Sequence, residues 1–180
     1  MRANKSIPSL SEQNSLLDKV EYKQAISDML NGFAYTHHVT LATNSHNRAA
    51  PQTMDRMIGA LKQFERRINR KIAGPRYQEL PASHIHGFVF VEKLHSNPHW
   101  HLIINVRPGQ FRNLESFSGI CWEKALGGVG GNALVQNISE YQEAHNLSND
   151  SALKGYVIKS MLPDYAVENF HVLGTPKPTH

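Results

Sequence analysis

The chain has a single cysteine, Cys121, among its 180 residues. That excludes an intrachain disulfide and any zinc cluster built from several thiolates. Long apolar runs are also missing, none nearing the roughly 20 residues that a membrane-spanning helix needs. The opening "MRANKSIPSLSEQNS" lacks the basic, apolar, small-residue order of a secretory signal. A soluble protein with no membrane contact is therefore expected, in the cytoplasm or another compartment holding a host cell's nucleic acid. Strong charge imbalance is absent too: 19 Lys+Arg against 15 Asp+Glu leave a net charge of +4 and a pI near 9.2. Such a surface tolerates a polyanionic partner without demanding one. No segment repeats at a period of 20 to 50 residues, so a solenoid or propeller is excluded. What is present, 40% hydrophobic and 19% charged residues, is ordinary for one globular domain.

The pattern along the chain alternates between the two periodicities of regular structure. Residues 1–20 are polar and aperiodic, an expected loose arm, although "LLDKVEYKQAISDML" already has helical spacing and Gly32 is placed to end it. "HHVTLAT", residues 37–43, is a β-rich run followed by the loop "NSHNRAAPQ". From Thr53 to Ile72, Met57, Leu61, Phe64, Ile68 and Ile72 form one stripe of a long amphipathic helix. Its opposite face carries Lys62, Arg66, Arg67, Arg70 and Lys71, a solvated face or a contact for a nucleic-acid backbone. "HIHGFVFV" and "HWHLIINV" read as strands joined by "KLHSNP", "FRNLESFSGICWEKA" as a helix, "NALVQNI" as a strand and "SALKGYVIKSML" as a last helix. This order predicts an α+β fold, a central antiparallel sheet with helices on one side.

Histidine is a poor filler for a buried strand, yet His99 and His101 flank Trp100 at the entrance to "LIINV". Strand side chains alternate, so the two imidazoles share a face. If "KLHSNP" closes a hairpin, Glu92 lies opposite His99 and Phe90 opposite His101, and opposed residues also share a face. Two imidazoles and a carboxylate, with the other positions left to water or substrate, make an open metal site. A decorated, half-exposed strand is the alternative for a bare His-x-His. His84 and His86 repeat the spacing, but they lie six to eight residues from Glu92, on the order of 20 Å along a strand at about 3.3 Å per residue. They are expected at a solvated strand end or a DNA-facing rim. His37, His38 and His95 are expected at the surface.

In "KGYVIKS", Tyr156 and Lys159 share a helical face, while Leu153, Val157 and Met161 form a packing stripe. A tyrosine hydroxyl beside a cation is a candidate nucleophile. Tyr165, nine residues on and past Pro163, is not counted as a second one.

Taken in order, "HVTLATN", "HWH" with Glu92 upstream, and "YVIK" resemble the three motifs of the HUH endonucleases, in particular the rolling-circle replication initiators of plasmids and small single-stranded DNA viruses. The resemblance covers about residues 37–162 and rests on order and spacing. Single-tyrosine transposases share the His-U-His but typically have glutamine after the tyrosine, and conjugative relaxases generally place the tyrosine first. The resemblance implies a ferredoxin- or RRM-like HUH endonuclease domain over 21–165, with 166–180 as a C-terminal tail. It implies Mg²⁺ or Mn²⁺ on Glu92, His99 and His101, and attack by Tyr156 on single-stranded, hairpin or origin DNA to give a 5′-phosphotyrosine and a free 3′-hydroxyl. Lys159 then lowers the tyrosine's pKa or orients the phosphate. Arg66, Arg67, Arg70 and Lys71 are the expected backbone contacts. These 180 residues hold no Gly-x-x-x-x-Gly-Lys loop, so a separate helicase is an expected partner. The sequence leaves three alternatives: a single-tyrosine transposase, a catalytically silent DNA-binding module on the same scaffold, and a hydrolase in which metal-bound water attacks.

Overall fold

The computed structural model describes residues 21, 24–43, 53–92, 98–128, 130–147 and 170–174. Five strands form one antiparallel sheet: β1 (His37–Ala42), β2 (His86–Glu92), β3 (His99–Asn105), β4 (Asn132–Asn137) and β5 (Phe170–Leu173), in the spatial order β4-β1-β3-β2-β5. Helices cover it: α1 at 24–31, α2 (Met54–Ala73), α3 (Phe111–Ala125) and α4 (Ile138–Ala144). The α+β class expected from the element order is the one observed.

The α2 helix begins where Thr53, in extended backbone, accepts a hydrogen bond from Arg56 N, and stops at Gly74, whose φ of 88° favours glycine. Its whole predicted stripe is buried. Beside the stripe one polar residue of α2, Asn69, is also buried; its Oδ1 accepts from Ile85 N at 2.8 Å and so anchors the entry to β2. Together with Leu114, Cys121 and Trp122 of α3, the stripe packs on Val39, Leu41, Val89, Val91, Trp100, Leu102 and Ile104. These are the alternate residues of the three central strands, all pointing to one side.

The other face is also covered, which corrects the expectation of helices on one side. Phe88, Phe90 and Ile103 pack there with Ile26 and Leu30 of α1 and Ile138 and Tyr141 of α4. Two further elements were not anticipated. The short α4 begins at Asn137, which shares a capping box with Glu140. The strand β5 lies within the stretch expected as a tail and pairs with β2 from Gly87↔Leu173 to Phe90↔Phe170.

Trp100 sets the phase of the central hairpin. Fully buried on the α2 side, it donates from Nε1 to the Met57 carbonyl at 3.3 Å. A one-residue slip would carry this indole to the opposite face and lose its burial, on the order of 2–3 kcal/mol before strain. Gly87 matters for a different reason. A Cβ there would meet the Ile103 carbonyl oxygen and lie 2.7 Å from Ile104 Cα. Backbone cannot yield as a side-chain tip can, so Gly87→Ala should destabilise the protein by about 2 kcal/mol or more. Denaturant titration against wild type measures this, and an unchanged midpoint would show that β2 and β3 are not so close.

Candidate metal centre

The register of the β2–β3 hairpin is the predicted one: Glu92 pairs with His99 and Phe90 with His101. With Trp100 turned into the core, His99 and His101 emerge on the α1/α4 side, on the same face as Glu92. There Glu92 Oε2 lies 3.0 Å from His99 Nε2 and 2.8 Å from His101 Nε2. All three donor atoms lie within 4.8 Å of one another, and this is the only group of its kind among the described residues. Separations near 3 Å are those of neighbouring ligands on one ion held by bonds of about 2.1 Å. Side-chain exposures of 12%, 20% and 31% for His99, His101 and Glu92 leave the donors reachable from solvent. The group can thus hold a metal ion and still admit water or a substrate oxygen.

Two opposed effects act on the carboxyl of Glu92. Burial pushes its pKa up, but the hydrogen bond and positive charge of His101, followed by those of His99, together outweigh burial and hold it below the ordinary range. The carboxylate is thereby held anionic, and a cation bound at the two Nε2 atoms would replace the imidazole protons that hold it so.

Thr40 supports this centre and was not anticipated. It pairs with His101 across β1 and β3, and its Oγ1 lies 3.3 Å from His101 Nδ1. A ring that offers Nε2 as a lone-pair donor carries its proton on Nδ1, where Thr40 can accept it. Finding Thr40 requires the β1–β3 pairing, which joins residues 61 apart; no local pattern announces it.

His38 departs most from expectation. Expected at the surface, it is 2% exposed, because β1 is flanked by β3 and β4 and its face is roofed by α4. Its ring stacks on Tyr141 at 3.8 Å and lies 5.3 Å from the ring of His101, and Tyr141 stacks in turn on His145 at 4.1 Å. Neither ring nitrogen has a hydrogen-bond partner among the described residues. Burial first, then the nearby His101 and His145, push its pKa down to about 3 from an ordinary 6.5. His37 is buried as well, on the opposite face, with its ring 4.6 Å from that of Phe111.

The His38 shift carries a stability consequence. Between its ordinary pKa of 6.5 and its folded value of about 3, the unfolded chain binds a proton that the folded chain refuses. Stability is therefore lost as pH falls through that window. From pH 7 to pH 5, His38→Leu should gain about 2 kcal/mol relative to wild type, with other groups cancelling in the difference. Denaturant midpoints in EDTA at the two pH values test this, and parallel acid limbs would refute it.

The remaining predicted residues separate. His84 and His86 stay apart from the metal group: His84 Nε2 donates to the Tyr77 carbonyl at 2.7 Å, and His86 pairs with Asn105 at the far end of β2. Arg66, Arg67, Arg70 and Lys71 are exposed on α2, which covers the other side of the sheet. They face away from Glu92, His99 and His101. Tyr156 and Lys159, and His95 in the hairpin connection, lie outside the described residues.

No family model matches the chain, and neither does any curated protein or solved structure. The site's chemistry thus rests on its own geometry and on the motif resemblance. No described helix is long and apolar enough to cross a membrane.

Proposed function

We propose that the protein nicks and rejoins single-stranded DNA through a 5′-phosphotyrosine on Tyr156, in the manner of a rolling-circle replication initiator. The observation that carries this is the convergence of His99 Nε2 and His101 Nε2 on Glu92 Oε2, at 3.0 and 2.8 Å. That donor set, open to solvent on one side, suits a hard or borderline divalent cation, and the motif resemblance favours Mg²⁺ or Mn²⁺. Such an ion supplies positive charge that polarises the scissile phosphate and offsets charge developing in the transition state.

The chain's own residues do the rest. Glu92 contributes the anionic donor, His99 and His101 the neutral ones, and Thr40 holds His101 in the tautomer that leaves Nε2 free to coordinate. Tyr156 Oη attacks phosphorus in line, a P–O bond forms to the tyrosine, and the P–O3′ bond breaks. The departing oxygen takes up a proton to become a free 3′-hydroxyl. Lys159, three residues on in the sequence, favours the phenolate or neutralises a phosphate oxygen. Because the phosphodiester energy is kept in the tyrosyl bond, the 3′-hydroxyl can later reverse the reaction and reseal the strand. Replication of a plasmid or viral origin, with a separate helicase to open the duplex, is the setting that the motif order favours.

The test is covalent capture. Incubated with Mn²⁺ and a panel of suicide oligonucleotides that lose their 3′ fragment on cleavage, the protein should give a band that survives denaturant and carries the labelled strand. Cleavage without any protein-linked strand would instead assign attack to water and remove the tyrosine from its role.

A further inference from the structure

We propose that the groove between α2 and α3, on the side of the sheet away from the metal centre, is a second nucleic-acid site that grips the backbone of duplex DNA. Arg66, Arg67, Arg70 and Lys71 from α2 and Lys124 from α3 line a groove of about 980 Å³, to which no carboxylate among the described residues contributes. All five cations are exposed, and among the described residues none forms an ion pair. Five like charges along one groove repel one another. A helix surface usually relieves this with acids three or four residues away. Here no acid stands three or four residues from any of the five, and Glu65, beside Arg66 in the sequence, accepts a hydrogen bond from Gly174 N at 3.1 Å beside β5. The fields converge on Cys121 in the groove floor. Burial pushes its thiol up, and Lys71, Arg67 and Lys124 pull the other way.

The chemistry of the lining selects the ligand. Three of the five cations are arginines, whose planar forks suit phosphate oxygens. From Arg66 to Lys71 the helix advances about 7.5 Å, enough to reach neighbouring phosphates of one duplex strand. Lys124 extends the row from the opposite wall. A single strand would be expected to stack its bases on open aromatic faces. The two rings that line the groove are already engaged: Phe117 carries the Lys71 ammonium 4.7 Å from its ring centre, and Tyr77 leans on His84 with ring centres 5.4 Å apart. Five exposed cations beside rings already in use favour a regular phosphate backbone over unstacked bases.

This site goes beyond the nicking reaction and does not depend on it, because its readout needs neither metal nor cleavage. Fluorescence anisotropy in EDTA, with a 20-base-pair duplex of arbitrary sequence and the matching single strand, compares wild type with the triple variant Arg67→Gln, Arg70→Gln, Lys124→Gln. All three side chains are exposed, so the fold should hold; Arg66→Gln with Lys71→Gln, in the same groove, is an independent second variant. The expected result is a loss of duplex affinity on the order of 100-fold at 0.1 M salt for the triple variant, with a salt slope shallower by about two to three. Mn²⁺ binding by calorimetry should match wild type. Unchanged duplex affinity in both variants, or a loss confined to the single strand, would overturn the proposal. Absence of covalent capture would leave it standing.

Discussion

Tyr156→Phe is expected to cut formation of the protein–DNA adduct by on the order of 10⁴-fold or more, while Mn²⁺ affinity stays within about twofold of wild type. Only a hydroxyl is removed, and phenylalanine keeps the aromatic ring. No bond to phosphorus can form without that oxygen, so the loss belongs to the chemical step and not to binding. The two measurements separate the roles: adduct yield with a suicide oligonucleotide reports the nucleophile, and calorimetric titration reports the metal centre. If Tyr165 or another tyrosine carried the reaction, adduct would persist in Tyr156→Phe, and the resemblance at "YVIK" would lose its chemical meaning.

What could be read from the sequence was local. The α2 stripe and the bounds of α3 follow from a 3.6-residue period that neighbouring residues repeat, and the Glu92–His99 register follows from a short connection between two alternating runs. These features need contacts only a few residues apart. What was missed depends on pairing between distant segments. The central place of β1 buries His37 and His38, and nothing in "HHVTLAT" says whether it is a central or an edge strand. Thr40 supports His101 only because β1 lies beside β3. The four-residue β5 is too short for its alternation to stand out, yet β2 selects it as a partner. The basic run on α2 was legible as a charged face, but its distance from the metal centre was not. That depended on which side of the sheet the apolar stripe would cover, and both sides accept helices.

The three-donor centre stands or falls with Glu92, its one anionic ligand. Glu92→Gln should keep the fold, because the side chain is 31% exposed and an amide fills nearly the same space. Its carbonyl oxygen is a weaker donor, and the negative charge that attracts a divalent cation is gone. Mn²⁺ affinity should fall at least about 100-fold, more than the roughly 10- to 100-fold typical of removing a supporting group such as Thr40. His101→Ala should fall at least as far, since it removes a donor and leaves Glu92 paired only with His99. Alanine at His84 or at His86 should leave the affinity unchanged, because neither ring joins the cluster. Calorimetric titration of the four variants beside wild type makes the comparison. Equal losses at both His-x-His pairs would mean that the ion binds elsewhere. Loss at His101 without loss at Glu92 would show that the carboxylate only bridges two imidazoles by hydrogen bonds and contributes nothing to the metal, leaving a two-histidine site that must take its remaining ligands from water or DNA.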